Sequence, residues 1–200
     1  MGRTKALLPW GDRSLLAAWI DRFVDAGAAH VAVVLGAEFA LIRAEVEPAL
    51  TCGDQVRWVQ NLDADTTGPR ESLLLGLDSL PADGAAWFTP VDVPVVRTAT
   101  LIAVATAWRE AAAQTTGGVE PLASIPRHDG RHGHPVFGGP SFIQRLFQGE
   151  PGDRIDELLS WATRRLAFAD VDDARAVVDM DDLAAYQREA PPPGQPDPHC

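Results

Sequence analysis

Apolar residues near the start of the chain recur with a helical period. Leu15, Leu16, Trp19, Ile20, Phe23 and Val24 share one face, Asp21, Arg22 and Asp25 lie opposite, and Gly27 stands where a helix would be capped. This predicts an amphipathic helix packed on something flat. The period then changes: HVAVVLG is a continuous β-branched run ended by glycine, which fits a strand covered on both faces. EFALIRAEVEPAL predicts a helix, QVRWVQN a strand, and RESLLLGLDSLP a helix stopped at Pro81. AAWFTPVDVPVV predicts a buried strand running into a loop, and TATLIAVATAWREAAA the helix after it. Such alternation implies an α/β domain with a mainly parallel central sheet and helices on both faces.

The second half is less regular. LASIPRHDGRHGHPVFGG predicts two extended pieces joined by a glycine-containing turn. Helices over SFIQRLFQ and DRIDELLSWATRRL, short strands over AFADV and AVVDM, and a last helix from about Asp182 complete the expectation. No repeat or linker interrupts residues 1–189, which are expected to form a single domain. Residues 190–200, APPPGQPDPHC, are rich in proline and lack apolar periodicity, which predicts a disordered tail.

A formal net charge of −11 argues against a nucleic-acid partner, because such surfaces need clustered cations to displace counterions. A small anionic ligand stays open if a few cations are placed locally. Cys52 and Cys200 can form at most one bridge, which favours a reduced, cytoplasmic protein. No apolar run is long enough to span a bilayer, so no membrane partner is expected.

In an open parallel sheet, ligands bind beyond the carboxyl ends of the strands, so the residues just past each strand carry most information. Gly2, Arg3 and Lys5 precede Leu7, Leu8 and Pro9. A lysine held against a triphosphate gains roughly 4 kcal/mol per close pair at an effective dielectric near 20, although N-terminal cations are commonly just solvated. Asp92, in TPVDVPVV, is a lone carboxylate after a buried strand. It suits Mg²⁺, which takes one or two protein carboxylates and leaves its other positions to water and phosphate; it also suits a turn cap before Pro94.

In NLDADTTGPRESLLLGL, Asn61 ends a strand, Gly68 permits a close loop, and Ser72 lies near a helix N-terminus, where backbone N–H groups favour anions. An ordinary loop would have the same composition. His128, His132 and His134 lie in a glycine-rich turn without a paired cysteine, a poor match to a transition-metal site. Asp179 or its neighbour Asp181 can supply a second Mg²⁺ carboxylate, against a background of 28 acidic residues. Among the tryptophans, Trp19, Trp87, Trp108 and Trp161 read as core, and Trp10 is the one placed to face a ligand.

Taken together, these segments resemble the MobA-like nucleotidyltransferases, the family that includes the molybdenum cofactor cytidylyl- and guanylyltransferases. The likeness runs from Gly2 to about Tyr186. MGRTKALLPWGDRSLLAAWIDRFVDAGAAHVAVVLG looks like the end of the family's signature loop with its first helix and second strand. Asn61, Gly68, Ser72, Leu73 and Gly76 match a second segment, PVDVP an Asp-x-Pro metal step, GRHGHPVFG a Gly-His-Pro element on the acceptor side, and VVDMDDL a shortened C-terminal Asp-x-Asp motif. The resemblance implies a three-layer Rossmann-like nucleotidyltransferase fold.

By that resemblance Lys5 and Asp92 are catalytic, and Gly2, Arg3, Lys5, Asn61, Gly68 and Ser72 bind the nucleotide. His134 and Pro135 lie by the acceptor, and Asp92 and Asp179 bind Mg²⁺. The implied reaction moves a nucleoside monophosphate from an NTP, CTP or GTP, onto a small phosphorylated acceptor such as molybdopterin, with pyrophosphate leaving; a monomer is one possible state of the protein, and the sequence leaves the oligomeric state open.

Three features depart from the family's pattern. Its members carry a strand and a turn of the form Leu-Ala-(Ala/Gly)-Gly-x-x-x-Arg immediately ahead of the segment that opens this sequence. With that first strand missing from this chain, two open ladder edges and a reduced phosphate cradle are expected. QGEPGDR stands where Gly-Asp-x-Gly is usual, with Glu150 keeping the charge, and the C-terminal motif lacks Thr-Pro between its acidic residues. One expectation is that Met1 lies inside the family's loop, with the start upstream. The alternative is a catalytically degenerate protein that binds nucleotides or partners.

Overall fold

The computed structural model describes residues 4–82, 84–115, 121–149 and 165–197. After a single turn of 3₁₀ helix at Lys5–Leu7, the chain makes a small antiparallel hairpin, β1 (Pro9–Trp10) and β2 (Arg13–Ser14). Helix α1 (Leu15–Asp25) comes next, started by the Ser14 hydroxyl, which accepts from the Ala17 N–H at 3.3 Å, a cap worth about 1 kcal/mol. It ends before Gly27, whose φ of 95° lets the chain turn back.

Strands β3 (Val31–Leu35) and β4 (Val56–Gln60) pair in parallel, from Val31 opposite Val56 to Leu35 opposite Gln60. Helix α2 (Phe39–Val46) connects them, and α3 (Pro69–Asp78) succeeds β4. Then come β5 (Ala86–Phe88), α4 (Thr98–Ala113), β6 (Ala123–His128), β7 (Arg131–His132), β8 (Val136–Gly138), α5 (Pro140–Gln148), β9 (Leu166–Asp170) and α6 (Leu183–Glu189). The order in the larger sheet is β5-β8-β6-β7, with β9 also on β6.

The α/β class and most predicted elements are present, and the sheet is mixed. β3–β4 and β6–β9 are parallel, whereas β8 runs antiparallel to both β5 and β6. The cause is local. Asp129 and Gly130 both take positive φ, 48° and 77°, and form the tight reversal that sends β7 back along β6. The short strand expected over AVVDM is absent: residues Ala174–Val177 form a 3₁₀ turn, with the Ala176 N–H bonded to the Asp173 carbonyl. The helix expected over DRIDELLSWATRRL, with Glu150 and Trp161, lies outside the described residues.

One apolar cluster joins Leu16 and Ile20 of α1 to Val31 and Val33 of β3 and Ile42 and Val46 of α2. A second collects Trp10, Leu15, Trp19, Val93, Val95 and Met180. Full burial of each such side chain stabilises by about 1.5–3 kcal/mol. Among the described residues β3 has no strand partner besides β4, nor β5 besides β8. Both strands line a cavity of about 1320 Å³ whose wall includes Phe23, Val34, Leu77, Trp87 and Phe88. No helix among the described residues is long and apolar enough to cross a membrane.

The proline-rich tail differs from its expectation. Residues 190–197 are described, and they lie on the N-terminal hairpin: the Gly194 N–H donates to the Gly11 carbonyl at 2.8 Å, and Asp197 is buried at 6% exposure. Its carboxylate accepts from the Trp10 indole at 3.0 Å and from Arg175 at 3.0 and 3.1 Å, and Arg22 lies 3.9 Å away. This ion pairing explains why Arg22, on the polar face of α1 by sequence, is itself 2% exposed. Removing one partner of such a buried pair costs about 3–5 kcal/mol, because the other charge is stranded. Trp10 likewise faces the tail and the Arg175 guanidinium, 5.2 Å above its ring, and does not face a ligand.

Candidate active site

Asp92 and Asn61 lie past the carboxyl ends of β5 and β4, whereas Lys5 stands in the 3₁₀ turn ahead of β1 and Asp179 follows the 3₁₀ turn at Ala174–Val177. The loop after β5 carries Asp92, whose carboxylate receives the Lys5 ammonium at 3.1 Å; the two side chains are 39% and 32% exposed. Such a pair in partial contact with solvent contributes little stability. Its significance is placement. Lys5 is also the one lysine in the 200-residue sequence.

The backbone of this loop is firmly held. The Asp92 carbonyl accepts from the Met180 N–H at 3.0 Å, the Val93 carbonyl from the Trp19 indole at 3.0 Å, and the Val95 carbonyl from Arg175 at 3.3 Å. The bond from Met180 sets Asp179 beside Asp92. His134 joins them, for its N–H donates to the Ala176 carbonyl at 2.8 Å, and both Asp179 and Asp92 act on its charge. Thus Lys5, Asp92, His134 and Asp179, distant in sequence, come together. The charge of Asp179 bears on His134, and no such influence comes from Asp181.

Burial pushes the His134 imidazole below its ordinary value, more than the two carboxylates raise it. Its buried Nδ1 has no hydrogen-bond partner among the described residues. A buried polar atom left unpaired costs about 1–3 kcal/mol, a cost that a partner at Nδ1 would remove. The linkage has a definite sign. Above an unfolded value near 6.5 both states are neutral; as pH falls below it, the unfolded chain takes up the proton first and the native state loses stability until the lowered native value is passed. In the metal-free protein, His134→Gln is therefore expected to shrink the drop in urea midpoint between pH 7 and pH 5, and parallel drops would show that another group carries it.

A second cluster lies after β4. The Asn61 amide donates to Thr67 Oγ1 at 3.1 Å and Ser72 Oγ at 3.0 Å, while its carbonyl oxygen accepts from the Asp63 N–H at 3.0 Å. Asn61 is buried and closes the loop into a fixed shape. The Gly68 N–H donates to Glu71 at 3.0 Å, capping α3. Asn61, Gly68 and Ser72 are thus brought together, with these bonds made within the loop. Pro135 is buried behind His134, joined to it by a cis peptide bond. Gly2 and Arg3 lie outside the described residues.

The other histidines do not converge. His128 Nδ1 is 2.9 Å from the Val171 carbonyl and His132 stacks on Phe168. Sequence reasoning missed two structural polar residues. Asp173 accepts from the Arg97 N–H at 2.9 Å and the Thr100 hydroxyl at 2.7 Å, capping α4 from a distant segment. Arg70 donates to the Leu146 and Gly149 carbonyls at the end of α5. No local signal points to these distant contacts.

Among the described residues no group of three or more His, Cys, Asp or Glu side chains is arranged to hold a metal ion. Two carboxylates with a neutral imidazole nearby still fit a hard divalent cation whose remaining ligands are phosphate and water.

The α/β fold and the lysine–carboxylate pair are accompanied by a family match. The chain belongs to the family of the MobA-like NTP transferase domain, whose model matches residues 1–166, and its structural neighbours are nucleotidyltransferases. It is similar to Rv0371c from Mycobacterium tuberculosis H37Rv, with a TM-score of 0.73, 21% identity and coverage of 94% of this chain and 90% of that one. That protein is also known as a complex with manganese, which aligns with a TM-score of 0.69, 21% identity and coverage of 94% and 92%. A nucleotidyl transferase from Methanothermobacter aligns with a TM-score of 0.71, 23% identity and coverage of 92% of this chain and 82% of that chain. No curated protein sequence matches the chain.

Proposed function

We propose that this protein transfers a nucleoside monophosphate from an NTP, CTP or GTP, to a small phosphorylated acceptor such as molybdopterin, with release of pyrophosphate. The observation that carries this reading is the Lys5–Asp92 pair at 3.1 Å, set beside Asp179 and an unpartnered His134 nitrogen. Asp92 and Asp179 would hold a divalent cation, Mg²⁺ in the cell, which when bound neutralises charge on the triphosphate. Lys5 neutralises Asp92 when no substrate is bound, and its ammonium is the cation available to phosphate oxygens. His134, neutral near pH 7, offers Nδ1 to a donor on the acceptor. Positioning and charge neutralisation are the main demands of in-line attack at the α-phosphorus, so no covalent nucleophile is required of the chain. The free, half-buried Cys52 thiol fits a reducing cytoplasm.

The second reading, a degenerate binding protein, is favoured by one observation: Asn61 and the Gly68 N–H already bond within the chain. The two readings separate on pyrophosphate release. The purified protein is incubated with each NTP, Mg²⁺ or Mn²⁺, and molybdopterin or a sugar phosphate. Turnover confined to one or two nucleotides and dependent on the cation is expected. Saturable nucleotide binding with no release in any combination would establish the degenerate binder instead.

A further inference from the structure

The tail carboxylate at Asp197 is bonded to the segments that lead from Lys5 and to Asp179, and it reaches the Asp92 segment through Arg175. The Trp10 indole, in the hairpin directly after Lys5, donates to Asp197 at 3.0 Å. Arg175, four residues before Asp179, donates to both Asp197 oxygens at 3.0 and 3.1 Å and, with the same nitrogen, to the Val95 carbonyl at 3.3 Å, three residues after Asp92. Its other terminal nitrogen donates to the Glu189 carbonyl at 2.9 Å, at the end of α6. Arg22 of α1, near the same carboxylate, donates to Thr98 at the start of α4.

The chain leading to Asp197 is held as well. Gly194 bonds to Gly11, the Tyr186 hydroxyl donates to the Pro9 carbonyl, and a Cβ on Gly11 would run into the Gln195 carbonyl. Four prolines between Pro191 and Pro196 lower the entropy lost when this strap docks, and it turns once, the Gln195 N–H donating to the Pro192 carbonyl at 3.3 Å. A buried carboxylate that receives three hydrogen bonds from two side chains is more than is needed to hold the strap down.

We propose that Asp197 is a positioning residue: by fixing Trp10 and Arg175 against each other it sets the spacing of Lys5, Asp92 and Asp179, and with it the readiness of the site for a divalent cation and triphosphate. The readiness for cation and triphosphate rests on the function proposed above; the spacing does not. Asp197 touches neither the substrate nor the metal. It acts through the indole and the guanidinium.

The unique lysine makes the test direct. Amine acylation with subsequent peptide mapping reads Lys5 alone and separates it from the N-terminus, whatever the protein's activity. Mn²⁺ affinity, measured by electron paramagnetic resonance, reads the two carboxylates. Asp197→Asn, Asp197→Glu and Arg175→Lys are compared in the full chain, at a temperature where circular dichroism shows each to be folded. Arg175→Lys keeps the charge but loses the planar fork, and it decides the matter if Asp197→Asn does not fold.

The expected result is faster Lys5 acylation and Mn²⁺ binding weakened by about tenfold in Asp197→Asn and Arg175→Lys, with partial rescue in Asp197→Glu. Folded variants with a lower melting temperature but unchanged Lys5 rate and Mn²⁺ affinity would overturn the proposal and reduce Asp197 to an anchor. If the wild-type protein binds no Mn²⁺, it is the metal reading that fails, and the Lys5 rate alone judges the positioning role.

Discussion

Gly133→Ala is expected to destabilise the protein by about 3 kcal/mol or more and to dismantle the candidate site with it. A Cβ at this position would lie 2.8 Å from the Ala176 carbonyl carbon and 2.9 Å from Val177 Cα, and closer still to the Ala176 carbonyl oxygen. All three obstacles are backbone atoms, so no flexible side chain can yield. The backbones are pressed together because the turn carrying His134 docks on the 174–177 turn: the His134 N–H donates to the Ala176 carbonyl at 2.8 Å and Arg131 to the Val177 carbonyl at 2.8 Å. Pushing them apart breaks both bonds and moves the segment that leads to Asp179 and to the Met180–Asp92 bond.

The measurement is the urea midpoint, with Gly53→Ala as control, since nothing lies within 4 Å of a Cβ there. Gly130→Ala is a second control. It has equally open space but a φ of 77°, so its loss reports the cost of backbone conformation alone, about 1–2 kcal/mol. A Gly133→Ala protein as stable as the Gly53 variant would mean that the two turns are not in contact.

That contact also indicates where the sequence was readable. Helix α1 was visible because its apolar face repeats locally, and β3 because a short β-branched run ends at a glycine. Lys5, Asp92, His134 and Asp179 were reached from the rule that ligands gather past strand ends and from family resemblance, and the structure does bring them together. The face to which Arg22 belongs was misread, since a charge opposite an apolar stripe normally meets water; its buried partner Asp197 lies almost at the other end of the sequence. For the same reason the tail's composition, correctly read as unable to form a core of its own, did not reveal that one carboxylate could dock it. AVVDM failed as a strand because β-branched residues specify an extended backbone only where a ladder edge is available. The Asn61 loop was found, but whether its polar atoms point to a ligand or to one another is a matter of geometry that residue types leave open.

Asp92→Asn is the substitution expected to affect activity most. The two side chains have nearly the same shape, and the backbone carbonyl of residue 92 keeps its bond from Met180, so the fold should survive with a change of about 1 kcal/mol or less. Charge is the loss. An amide is a poor ligand for a hard divalent cation and no longer pairs with the Lys5 ammonium, so nucleotidyl transfer should fall by about a hundredfold or more, with Mn²⁺ affinity falling in parallel. Lys5→Gln is expected to weaken transfer while leaving Mn²⁺ affinity unchanged or improved, because it removes the cation that competes with the metal for the same carboxylate. The double variant then tests whether the two residues act as a unit: losses far short of additive would show that Lys5 and Asp92 serve one charge-neutralising arrangement. Full additivity would place them in separate steps. Unchanged transfer in Asp92→Asn would remove the metal from this loop altogether.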